Sequence, residues 1–250
     1  MRRNIVAGNW KMNTTVSEGI NLAKEINDKS ETLNTDTGII IIPPYVHLSK
    51  IIEILGAKVK IGAQNCSAKE QGAFTGEISV KMLKDIDVEY CLVGHSERRQ
   101  YHNENNKLLK QKTDLLLAEN ITPIYCCGER LDEREKNQYF DVIKKQINES
   151  LFHLNSEQIK NIIIAYEPVW AIGTGKTASP KQAQEIHKFI RDLLVEKYNN
   201  NIANNITILY GGSCKPSNAK ELFSMPDIDG GLIGGAALKS KDFIEIIKSV

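Results

Sequence analysis

Ile162-Ile163-Ile164-Ala165-Tyr166, and the stretch 181–198 that follows it across a glycine-bearing loop, decide how this chain reads. The first is a short, continuous apolar run rich in β-branched residues. Such a run suits a strand whose two faces are both covered, as in a parallel sheet. In 181–198, Ala183, Ile186, Phe189, Ile190, Leu193 and Leu194 recur at the i, i+3, i+4 spacing of one buried helical face. Ser179 is placed to cap that helix, Pro180 suits its first position, and Gln182 completes a capping box. The pair is a strand followed by a helix.

The same alternation continues in both directions. Strands are expected at Ile5–Asn9, 39–42, Val59–Ala63, Tyr90–Val93, 121–126, 162–166, 206–210 and Gly230–Ile233. Helical periods lie between them, at 18–29, 48–55, 104–118, 131–151, 181–198, 218–224 and 241–250, with a weaker one at 80–84. In 131–151 the stripe is Phe140, Ile143, Ile147 and Leu151. Eight strand–helix units in 250 residues match the usual size, about 250 residues, of an α/β fold of eight parallel strands enclosed by helices, a closed (β/α)8 barrel. An open, doubly wound sheet has the same periodicity and remains the competitor. No linker or composition break divides the chain, so 1–250 reads as one domain, with the Asn-rich stretch 199–205 as a surface loop.

Composition narrows the function. With 41% apolar and 25% charged residues the chain can bury a substantial core. Lysine plus arginine (32) balances aspartate plus glutamate (31), so no global field points to nucleic acid or an anionic membrane, and an anionic ligand must be held locally. The basic start is followed by too short an apolar run for a secretory signal, and no stretch approaches a membrane span. A cytoplasmic protein is the expectation. Five cysteines without CxxC or zinc spacing read as reduced, mostly buried thiols, and the five histidines are scattered without an HExxH. Neither metal nor cofactor is expected.

In barrel enzymes the reacting groups lie at the C-terminal ends of the strands. After strand 1 comes Asn9-Trp10-Lys11-Met12-Asn13; on an extended backbone Asn9 and Lys11 point to the same side, which brings a cation into the barrel mouth. After strand 4 comes Gly94-His95-Ser96-Glu97-Arg98-Arg99, where Ser96 is placed to cap a short helix. His95 then faces the backbone donors of the helix start, which disfavour added positive charge, so it reads as a neutral hydrogen-bond donor and proton shuttle. After strand 6 comes Glu167-Pro168, with the apolar segment 169–172 available to cover Glu167; excluding water strengthens a carboxylate as a base.

Gly175-Lys176-Thr177 ends like a nucleotide-binding loop, but position 170 is Trp where that motif needs glycine. The glycines there suit a lid instead. After strands 7 and 8 come Gly211-Gly212-Ser213 and Gly234-Gly235, the two loops where barrels commonly bind phosphate with bare backbone N–H groups. Taken singly, Lys11 also reads as a surface lysine, His95 as structural, Glu167 as an ordinary ion-paired carboxylate, and the glycine pairs as plain turns.

Together these motifs resemble the triosephosphate isomerase family over essentially the whole chain. Also matching are Gln64-Asn65, Gly72-Ala73-Phe74-Thr75-Gly76-Glu77, Cys127-Gly128-Glu129 and Tyr210-Gly211-Gly212-Ser213. The resemblance implies a TIM barrel that interconverts dihydroxyacetone phosphate and D-glyceraldehyde 3-phosphate through an enediolate. Glu167 would be the base, a neutral His95 the electrophile, and Lys11 an electrostatic stabiliser. Asn9 would help bind substrate, and Glu97 would order the surroundings of Lys11 and His95. Backbone N–H groups of Gly173, Ser213, Gly234 and Gly235 would hold the phosphate, with 168–178 as the lid. It also implies a homodimer in which the loop around Thr75 inserts beside the partner's site. Cys214, Gly231 and Ala237 depart from the usual valine, bulkier apolar residue and serine. The rival readings are another phosphate-binding barrel enzyme, such as an aldolase or a ribose-phosphate isomerase, and a barrel serving only as a binding protein.

Overall fold

A computed structural model describes residues 2–172 and 177–250. Within them eight strands pair in parallel and in chain order: β1 (Ile5–Asn9), β2 (Gly38–Ile42), β3 (Val59–Ala63), β4 (Tyr90–Val93), β5 (Thr122–Cys127), β6 (Ile163–Tyr166), β7 (Ile208–Tyr210) and β8 (Gly230–Ile233). The eighth closes on the first. Ile5 is in register with Gly38 on one side and Gly230 on the other, so no sheet edge is left and the open doubly wound alternative is excluded. Closure needs a glycine. Gly230 has φ +122°, and a Cβ there would lie 2.0 Å from the Ile5 carbonyl oxygen.

The continuous apolar runs are explained by two hydrophobic clusters that share every strand but β3 alternately. Ile5, Ala7, Ile40, Ile42, Ile124, Ala165 and Leu209 belong to a cluster made of strand residues, which fills the barrel. Their neighbours Val6, Ile39, Ile41, Tyr125, Ile164 and Ile208 join a second cluster with helical residues such as Ile26, Ile147 and Ile190. Those strands are therefore buried on both faces, while β3 keeps a half-buried Lys60.

The first helices are α1 (Val16–Glu31), α2 (Leu48–Ile52), α3 (Val80–Asp85), α4 (Ser96–Tyr101), α5 (Asn106–Ala118) and α6 (Leu131–Glu135). They are followed by α7 (Tyr139–Leu151), α8 (Ser156–Ile159), α9 (Pro180–Lys197), α10 (Asn200–Ala203), α11 (Pro216–Phe223) and α12 (Ser240–Ile247). Helix α9 starts as its sequence predicts. Ser179 Oγ accepts from the Gln182 N–H at 3.2 Å, and Gln182 Oε1 accepts from the Ser179 N–H at 2.9 Å. All five cysteines are free and buried.

Two local expectations change. The stretch 131–151 is two helices, because Asn137 takes φ 56° and the N–H groups of Asn137 and Gln138 return to the carbonyls of Arg134 and Glu133. That pair of bonds ends a helix and reverses the chain, and asparagine tolerates the left-handed residue it needs. The Asn-rich 199–205 is more than a loop: Asn199 caps α10, accepting from the Ile202 N–H at 2.9 Å, and Ile202 and Ala203 are buried. The short helix expected after His95 and the helix expected at 104–118 both form, as α4 and as α5, which is capped by Asn105.

Candidate active site

The C-terminal ends of the strands surround a cavity of about 540 Å³. Asn9, Lys11, His95, Glu167, Ser213, Gly234 and Gly235 all line it. Groups separated by most of the chain therefore share one space. Gly173, and with it the middle of the expected lid, lies outside the described residues. Glu97 is not part of the wall but touches two residues that are.

Glu167 follows β6 and is only 2% exposed. Its backbone N–H donates to the Cys127 carbonyl at 2.7 Å, which extends the β5–β6 pairing to the barrel rim. That approach demands Gly128, where a Cβ would fall 1.7 Å from the Glu167 carbonyl oxygen. The carboxylate accepts from the Ser96 N–H at 2.9 Å and from Ser96 Oγ at 3.4 Å, and His95 Nε2 stands 3.0 Å from Oε1. Cys126 and Cys127 pack nearby; burial pushes both thiols up, that of Cys127 to about 12, so they are neutral packing groups.

His95 rather than Ser96 occupies the cap position of α4, and Ser96 is the first residue inside the helix. The consequence is chemical. The Glu97 N–H donates to His95 Nδ1 at 3.3 Å, so Nδ1 is an acceptor and the hydrogen-bond network assigns the ring proton to Nε2. Nε2–H is the nitrogen aimed at Glu167 and the cavity.

Lys11 reaches the cavity by a different route from the one its spacing suggested. Its backbone is not extended: φ is 53°, in the left-handed region, which costs a residue with a Cβ roughly 1–2 kcal/mol. The Lys11 N–H donates to Asn9 Oδ1 at 3.0 Å, and the ammonium donates to Glu97 Oε1 at 2.6 Å. The other Glu97 oxygen lies 3.6 Å from His95 Nδ1, so this carboxylate stands between the two groups it was expected to order.

Behind Glu167, the short turn Val169–Ala171 is held by Glu129. Oε1 of this fully buried carboxylate accepts from Trp170 Nε1 at 2.7 Å, Tyr166 Oη at 3.0 Å and Arg134 Nη1 at 3.1 Å. Burial pushes the Glu129 carboxyl above its ordinary value, and the hydrogen bonds only partly oppose this. The start of the expected lid is thus anchored to the end of β5.

Also lining the cavity, Gly235 opens a short 3-10 turn, Gly235–Leu238. A Cβ at Gly235 would meet nothing within 4 Å, so packing does not demand glycine there. What the glycine leaves is bare backbone beside the cavity, suited to phosphate oxygens. Among the described residues, no group of three or more His, Cys, Asp or Glu side chains is placed to hold a metal ion.

Two contacts were missed by reading residues in order. Ser96 is bonded to Glu167, although its only sequence signal was a place beside His95. Gln64 donates from Nε2 to the Lys11 carbonyl at 2.8 Å, and its only signal was membership of a matching motif.

The sequence profile of the triosephosphate isomerase family matches residues 4–250. Among similar proteins, the triosephosphate isomerase of Bacteroides fragilis is 56% identical, over 99% of this chain and 98% of its own length. That of Phocaeicola vulgatus is 54% identical over the same shares, 99% and 98%. That of Cytophaga hutchinsonii is 52% identical over the full length of both.

Proposed function

Because the chain belongs to the triosephosphate isomerase family, we propose how its residues divide the work of interconverting dihydroxyacetone phosphate and D-glyceraldehyde 3-phosphate. Glu167 removes a proton from the carbon beside the carbonyl. His95 Nε2–H and the Lys11 ammonium stabilise the oxygen that becomes negative, and Glu167 returns the proton to the neighbouring carbon. Asn9 helps bind the substrate, and Glu97 orders Lys11 and His95. The observation that carries this reading is the approach of His95 Nε2 to Glu167 Oε1 at 3.0 Å: base and donor meet at one point of a cavity that Lys11 also lines. Base catalysis typically contributes about 10²–10⁴-fold, and each donor aimed at the developing charge on the order of 10²–10³-fold.

The substrate's phosphate is held by the backbone N–H groups of Ser213, Gly234 and Gly235, with Gly173 completing the cradle and 168–178 closing over it. An enediolate with phosphate on the adjacent carbon expels that phosphate readily, so gripping it and excluding water until reprotonation protects the intermediate. The support is the position of Ser213, Gly234 and Gly235 on the same cavity as the base.

The enzyme works without a cofactor, as a single domain over 1–250, in the cytoplasm, in glycolysis and gluconeogenesis. No helix among the described residues is long and apolar enough to cross a membrane. A homodimer is the quaternary state. Met12 is 95% exposed and Tyr101 70%, and Phe74 stands out beside Thr75; covering them on a second copy removes apolar surface from water. A coupled assay with glyceraldehyde 3-phosphate, run beside a sedimentation measurement of mass, tests both parts. Lack of turnover would refute the assignment, and a monomer active at full rate would refute the dimer.

A further inference from the structure

We infer that Gln64 is a positioning residue for the substrate-binding lysine: its side-chain amide holds the Lys11 backbone in the left-handed turn that aims the ammonium into the cavity. The inference deepens the proposed role of Lys11 and rests on it. Gln64 follows β3 directly, is half-buried and does not line the cavity, so it has no direct part in the chemistry.

The geometry clamps both peptide planes that flank the Lys11 Cα. On the amino side, the Lys11 N–H donates to Asn9 Oδ1 at 3.0 Å. On the carboxyl side, the Lys11 carbonyl accepts from Gln64 Nε2 at 2.8 Å. The same nitrogen also donates to the Ile42 carbonyl at 3.1 Å, an oxygen that already accepts from the Trp10 N–H at 3.1 Å. Both amide protons of Gln64 are thus spent on carbonyls, one at the end of β2 and one on Lys11. A residue with a Cβ leaves the φ 53° basin unless its surroundings hold it there. The lysine ammonium ends four rotatable bonds, so a change at its root moves the charge away from both Glu97 and the reacting oxygen. The two carbonyls select for glutamine, since a carboxylate would face them without a proton to give and a methionine would fill the space without a donor.

The test compares the parent, Gln64→Met, Lys11→Met and the double variant. Two quantities are read: kcat/KM in the coupled assay, and the dissociation constant of 2-phosphoglycolate, whose carboxylate carries charge where the enediolate oxygen develops. Gln64→Met is expected to lower kcat/KM by about tenfold or more and to weaken phosphoglycolate by about tenfold, and to add less than about twofold to either loss in the Lys11→Met background. A role confined to general stability would add in full in both backgrounds, and that outcome overturns the inference. So does a Gln64→Met enzyme within twofold of the parent while Lys11→Met is crippled. If Lys11→Met itself leaves both quantities unchanged, the proposed role of Lys11 fails first. Should Gln64→Met not fold, Gln64→Glu is read across pH. Its carboxyl donates only when protonated, so its activity relative to the parent rises from pH 8 to pH 5.5, and a flat ratio overturns the inference.

Discussion

The backbone N–H of Ser96 donates to Oε2 of Glu167 at 2.9 Å, joining the first residue of α4 to the residue that follows β6. The bond satisfies one orphan donor of a helix start and one oxygen of a nearly buried carboxylate. It also parks that carboxylate beside His95 Nε2, at 3.0 Å. In the proposed division of work, the substrate comes between this imidazole and this carboxylate.

Glu167→Gln keeps the size of the side chain and removes its ability to take a proton. Turnover is expected to fall by about 10³-fold or more, while the thermal midpoint shifts by only a few degrees. The coupled assay and a melting curve on the same preparation check both halves. Retained activity would remove Glu167 from the mechanism.

Glu97→Gln leaves the Lys11 ammonium without its 2.6 Å carboxylate partner. The expected loss is about tenfold in kcat/KM, smaller than that of Lys11→Met, since Glu97 acts through its neighbours. Steady-state kinetics of the two variants decide it; a larger loss for Glu97→Gln would mean that Glu97 itself handles a proton.

Lys112→Met opens a buried charge network. Lys112 donates to Glu104 Oε1 at 2.6 Å and to Asn65 Oδ1 at 2.7 Å, and both charged side chains are almost wholly enclosed. Burial alone would raise the Glu104 carboxyl, but Lys112 and Arg98 outweigh it and hold the group below its ordinary value. Removing one partner of such a pair costs about 3–5 kcal/mol, read as a lower urea midpoint. Arg98, at 2.7 Å from Glu104, remains and moderates the loss.

His187 ties stability to acid. It is fully buried between Tyr166 and Tyr210, and burial pushes it from 6.5 down to about 3. Between those values the unfolded chain binds the proton that the folded protein refuses, so stability is complete above about pH 6.5 and declines as pH falls toward 3. The decline from this residue is about 1.4 kcal/mol per pH unit at its steepest. His187→Gln, which retains a donor for the Asp227 carbonyl, is expected to flatten the slope of urea midpoints between pH 6.5 and pH 4.5. A slope equal to the parent's would show that other groups carry the acid sensitivity.

What the sequence by itself determined is what depends on near neighbours and on covered faces. The run 162–166 reads as a strand buried on both sides, and β6 spans Ile163–Tyr166; the Ser179–Gln182 box with its apolar stripe reads as a helix start, and α9 begins there. Periodicity located Lys11, His95 and Glu167 at strand ends, and the resemblance of the motifs around them suggested their roles. Tertiary structure decided the rest, for a common physical reason: the deciding partner lies far along the chain. The left-handed Lys11 needs an amide from beyond β3, and Ser96 finds its acceptor at the end of β6. Local propensity fixes which elements form; only closure of the barrel brings residues from different strand ends within hydrogen-bond distance.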